Sequence, residues 1–150
     1  MTDHGVDFIL VGGVCAVLHG APVSTFDIDL VHSRTRKNID KLLSALNELD
    51  ARYRDPAGRV FRVTASHLAS PGHQLLSTSA GPLNLLGAFV EKKRFEELLP
   101  DTSVIEVGEG LRVRLLDLET LIEAKEAVGH EKDPAVLPIL RRTLEEREKD

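Results

Sequence analysis

Two aspartates, Asp27 and Asp29, stand one residue apart in the apolar run VSTFDIDLV, residues 23–31. On a strand, residues i and i+2 share a face. Carboxylates that close repel and raise each other's pKa, so the pattern asks for a compensating charge, and a divalent cation is the natural one. Upstream, Gly12 and Gly13 sit between the apolar run VDFILV (6–11) and the helix-like run VCAVLHG (14–20). Glycines there let the backbone approach a ligand closely, and N–H groups at a helix start favour phosphate. Brought together by neighbouring strands, the glycine pair and the acidic pair supply what Mg²⁺–nucleotide chemistry needs. Mg²⁺ takes oxygen ligands, commonly one or two carboxylates plus substrate phosphates. Two such ions can activate an acceptor oxygen and stabilise a leaving pyrophosphate. Each feature alone has an ordinary explanation, a tight turn or a solvent-facing strand edge; their order along the chain is the specific signal.

The elements that must position these residues are legible as periodicity. Residues 6–11 and 26–31 read as strands, with a short helix over 14–20 between them, stopped by Gly20 and Pro22. Ile39, Leu42, Leu43, Leu46 and Leu49 recur at helical spacing, which predicts an amphipathic helix over 35–52. DPAG (55–58) is a turn and RVFRVT (59–64) reads as extended. Two short strands are expected within 73–89, around Ala80-Gly81-Pro82, then a short helix over 92–99 and a hairpin over 103–116 around GEG. The last third is helical and charged, with a weak N-cap at Asp117 and Thr120 and a break near 129–134. A mixed α/β (α+β) architecture follows: a mixed sheet flanked by helices in a core over 1–116, with a C-terminal helical segment, 117–150, packed on it.

With 150 residues the chain can bury a core without staples, and its single cysteine, Cys15, excludes an intrachain disulfide. The run from Phe8 to Val23 is too interrupted by glycine for a signal peptide or a membrane span. A cytoplasmic protein with no membrane partner is therefore expected. A net charge of −5 gives no global attraction to nucleic acid, though a local basic patch stays open.

FILVGGVCAVLHGAPVSTFDIDLV resembles the signature of the nucleotidyltransferase superfamily that includes DNA polymerase β: an apolar strand, a glycine pair, a helix, then an Asp-apolar-Asp strand. Within that superfamily the chain is most similar to small bacterial nucleotidyltransferases of the AbiEii-toxin type. The likeness runs from residue 6 to about 140, through NIDKLLSALNELDAR, STSAGPLNLLG and LLDLETLIEAKEAVGHEKD. It implies transfer of a nucleoside monophosphate from an NTP to an acceptor hydroxyl of RNA or protein, with Mg²⁺ or Mn²⁺ as cofactor. A toxin–antitoxin role with an antitoxin partner is also implied. By position, Asp27 and Asp29 would bind metal. Gly12, Gly13 and Thr25 would contact the nucleotide, as would Lys125 and Lys132, the latter followed by Asp133.

Three positions depart from that pattern. Asn84, in GPLNLLG, stands where relatives carry a third carboxylate; an amide oxygen is a weak, uncharged ligand and no base. Val23 and His130 stand where relatives often carry arginine, so two fixed charges that could grip phosphate are missing. The chain also starts almost at its first strand, so part of the nucleotide cleft is expected to be absent or supplied by a partner. The alternative reading is thus a nucleotide-binding or regulatory protein that kept the fold and lost the chemistry. Other polar residues have plainer readings: Cys15 as a buried small side chain, His19 as a helix-end residue, and His67 and His73 as loop residues without zinc spacing. Arg34, Arg36, Lys37, Arg141 and Arg142 read as solvated faces.

Overall fold

The computed structural model describes residues 4–22, 27–128 and 136–148. Strand β1 (Phe8–Val11) leads directly into helix α1 (Gly12–Leu18), and β2 (Ile28–His32) follows. Helix α2 (Arg36–Glu48) has Thr35 as its N-cap, with the side chain accepting from the Asn38 N–H at 3.3 Å. Its buried residues Ile39, Leu42 and Leu46 are the apolar positions at helical spacing. The helix ends four residues before the expected 52. Asp50 takes a left-handed φ of 52° and turns the chain so that Arg52–Tyr53 forms a short strand, β3.

Residues 59–64 join no strand, although Thr64, at their end, has the extended backbone expected of the stretch. Their described backbone link to β3 is a hydrogen bond from Tyr53 N–H to Phe61 O, 2.9 Å, and both Val60 and Phe61 are half exposed. A short helix that periodicity does not reveal, α3 (Ala65–Ala69), follows. It is held by a capping box in which Thr64 and His67 exchange side chain-to-backbone bonds. Then come β4 (His73–Thr78), β5 (Gly81–Leu86) and α4 (Phe95–Leu98), a single turn between two 3₁₀ turns where a longer helix is expected. The hairpin is β6 (Thr102–Val107) with β7 (Leu111–Leu116), and α5 (Leu118–Val128) and α6 (Val136–Glu148) complete the fold.

One seven-stranded mixed sheet runs in the order β3-β4-β5-β2-β1-β7-β6. Its centre is β2, antiparallel to β1 and parallel to β5; β1 is also parallel to β7. Chain order is scrambled here, because the strands that flank β2 are separated in sequence by more than sixty residues. Ile9, Leu42, Leu76, Leu85, Leu115, Leu121 and Leu140 are fully buried and belong to one continuous core. That core therefore draws on the sheet, on α2 and on both C-terminal helices. Among the described residues no helix is long and apolar enough to cross a membrane.

A buried amide ties the start of β1 to the end of β2. The Asn38 Oδ1 accepts from Asp7 N–H at 2.7 Å, and its Nδ2 donates to Asp7 O at 3.1 Å and Ser33 O at 2.8 Å. Asn38→Ala would remove all three bonds and leave the Asp7 N–H and the two carbonyls without this partner. The expected loss is about 1–3 kcal/mol, read as a lower denaturant midpoint at unchanged slope.

Candidate active site

The register of three strands builds the site. Across the β1–β2 pair Val11 faces Asp29, and across the β2–β5 pair Asp29 faces Asn84. Side chains alternate along each strand, so Asp29 and Asn84 emerge on one face. Asp27, one residue before β2, joins them there: the Asn84 Nδ2 donates to Asp29 Oδ1 at 2.7 Å and to Asp27 Oδ2 at 3.3 Å. Both carboxylates therefore lie within reach of a single nitrogen.

Gly12 closes the floor. Its φ of +72° suits glycine, and a Cβ placed there would fall 2.3 Å from the Asp29 Oδ2. The glycine pair forms the first turn of α1, two residues earlier than expected, with no side-chain cap on that end. Its juxtaposition with the acidic pair is thus present in the fold. Burial pushes the Asp29 carboxyl pKa up, against the hydrogen bond from Asn84; the neighbouring Asp27 charge raises it further, and Lys125 and Arg54 oppose that rise. Lys125, from α5, is the lysine whose charge reaches Asp29. Thr25, Lys132 and Asp133 lie outside the described residues, as do Val23 and His130.

Sequence reasoning missed Arg54. Its backbone N–H bonds Leu75 O at 3.3 Å and its Nε donates to Leu76 O at 3.1 Å, so strand β4 holds the side chain in place. The guanidinium donates to Asn84 Oδ1 at 2.9 Å and lies 3.8 Å from Asp27 Oδ2. No spacing in ARYRDPAGR marks this arginine; only the β3-β4-β5-β2 strand order carries it to the acidic pair.

The site's chemistry follows from its donors. Two carboxylates are hard oxygen ligands suited to Mg²⁺ or Mn²⁺, and Gly12 leaves the approach to Asp29 free of a side chain. The residues present fit one divalent cation held by Asp27 and Asp29. Among the described residues no three His, Cys, Asp or Glu side chains gather as a metal set. Cys15 and His19 tie α1 and its C-terminal end to the end of β7. Burial pushes the Cys15 thiol up to about 12, and its Sγ lies 3.2 Å from Leu116 O. His19 donates from Nε2 to the same carbonyl at 2.7 Å and accepts from Arg147 at Nδ1.

No protein-family model matches the chain, and no curated protein matches it. Among solved structures it is similar to a protein of Thermotoga maritima provisionally described as a nucleotidyltransferase. The TM-score is 0.58 at 18% identity, over 97% of this chain and 86% of that one. At that identity the likeness is one of fold: the chain has a nucleotidyltransferase-like fold.

Two outcomes test the site's energetics. The raised Asp29 pKa means that the folded state holds this proton more tightly than the unfolded state does. The resulting destabilisation is complete above the folded-state pKa and relieved as pH falls toward the unfolded value. Asp29→Asn should therefore raise the melting temperature at neutral pH in chelator and flatten its acid-side dependence, as thermal scans across pH would show. Gly12→Ala should cost about 1–3 kcal/mol from its strained φ and displace the Asp29 carboxylate, measured by denaturant titration.

Proposed function

We propose that this protein binds a nucleoside triphosphate with Mg²⁺ or Mn²⁺ and transfers its nucleoside monophosphate to an acceptor hydroxyl. The observation that carries this reading is the convergence of Asp27 and Asp29 beside Gly12, on a nucleotidyltransferase-like fold. Asp27 and Asp29 would hold the cation. The cation, when bound, neutralises phosphate charge and polarises the reacting oxygens. Gly12 and Gly13 present backbone to the triphosphate, and Thr25, Lys125 and Lys132 lie in the segments expected to contact it. In the transfer, the acceptor oxygen bonds the α-phosphorus as the bond to the β-phosphate bridging oxygen breaks, and pyrophosphate leaves. The hydroxyl proton passes to solvent, since Asn84 cannot take it.

The finer reading follows the sequence resemblance: an AbiEii-type cytoplasmic nucleotidyltransferase of bacterial toxin–antitoxin kind, with RNA or a protein as acceptor and an antitoxin as partner. A second reading has its own observation. Asn84 offers the acidic pair its amide N–H₂ and not its oxygen, which suits a protein that binds nucleotide without turning it over.

Calorimetric titration of each NTP, with Mg²⁺ or Mn²⁺ and with chelator, tests what both readings share. Metal-dependent binding is expected, and Asp27→Asn should weaken it at least tenfold while the protein stays folded. Absence of binding by any NTP to folded protein would overturn both. Asn84→Asp separates them: a large gain in transfer to RNA or protein over a silent wild type marks a natural site that binds but does not turn over, and wild-type turnover that the variant leaves unchanged counts for the enzyme.

A further inference from the structure

We infer that this site takes one divalent cation per nucleotide, and that the Arg54–Asn84 pair occupies the place of a second. The inference rests on the metal–nucleotide reading above and concerns how many cations that site admits. Its basis is the orientation of one amide. Asn84 lies between a guanidinium, which can only donate hydrogen bonds, and two carboxylates, which can only accept them. The single arrangement that satisfies all three turns Oδ1 to Arg54, at 2.9 Å, and Nδ2 to Asp29 and Asp27, at 2.7 and 3.3 Å. The opposite orientation would set oxygen against oxygen and N–H₂ against guanidinium. Asn84 thus turns donors, not lone pairs, to the acidic pair, and Arg54 engages the oxygen that could otherwise ligate metal.

Arg54 is itself fixed. Its Nε is bonded to Leu76 O and its backbone N–H to Leu75 O, and its side chain is about one-third exposed. A guanidinium stays charged at every accessible pH. Lying 3.8 Å from Asp27 Oδ2, it repels a second cation while supplying part of that cation's charge. The first cation is the one that Asp27 and Asp29 would hold in the reading above. Arg54 is a positioning residue: it acts on metal through Asn84 and through charge.

Equilibrium gel filtration in Mn²⁺ with each of the four α,β-methylene NTPs counts bound Mn²⁺ and bound nucleotide in the same run. The wild type should carry one Mn²⁺ per nucleotide, and the Arg54→Gln/Asn84→Asp double variant two. A ratio of two in the wild type overturns the inference and leaves the nucleotide reading standing, whether or not the double variant folds. A ratio of one in a folded double variant also overturns it, because Arg54 and Asn84 would not be what excludes the second ion. Absence of both Mn²⁺ and nucleotide from folded wild type removes the nucleotide reading and the inference together.

Discussion

The register of β2 between β1 and β5 is the constraint on which the site depends. Asp29 faces Val11 on one side and Asn84 on the other, and those pairings bring Gly12, the acidic pair and the amide to one point. A one-residue slip of β2 would turn Asp29 to the opposite face and put Ile28 or Leu30 in its place. The core guards against that slip. Leu30 and Val31 are buried on the two faces of β2, and exchanging their faces would break the packing on both sides of the sheet. Asn38 adds a second lock by bonding to residues beside both β1 and β2. Apolar packing and one buried amide thus fix the position of two carboxylates that contribute nothing favourable to that packing.

The carboxylates are instead an electrostatic burden that the surroundings share out. Burial raises the Asp29 pKa and Asp27 adds to the rise, while Asn84, Lys125 and Arg54 pull the other way. Those three arrive from β5, α5 and the end of β3, elements far apart in sequence. Local structure alone would leave the acidic pair exposed to its own repulsion; tertiary structure makes it tolerable. The compensation is incomplete, since the Asp29 pKa stays raised. A protein selected for stability alone would have less reason to retain such a pair.

What was legible in the sequence divides along the same line. Features set by local periodicity were readable: the β1–α1–β2 unit, the apolar stripe of α2, the β6–β7 hairpin and the i, i+2 spacing of the aspartates. Features set by side-chain capping or chain reversal were not. Helix α3 exists because Thr64 and His67 cap it, β3 because Asp50 turns the chain out of α2, and neither leaves a periodic trace. Asn84 was found only because a resemblance marked its position. Arg54 was not found at all, because its partners lie thirty residues downstream and twenty-seven upstream, across strands whose order no local pattern encodes.

Arg54 also changes what the departure at Asn84 means. Taken alone, a carboxylate replaced by an amide is a lost charge, and the site looks merely weakened. Beside a fixed guanidinium, a carboxylate at 84 would instead meet Arg54 as an ion partner and would stand as a third anion beside Asp27 and Asp29. The neutral amide satisfies both neighbours at once, donating to the acids and accepting from the arginine. Asn84 and Arg54 are therefore best understood as one unit. The pair gives the acidic site a bridging donor and a nearby positive charge from within the chain, and it does so on the face where the strand register has gathered the carboxylates.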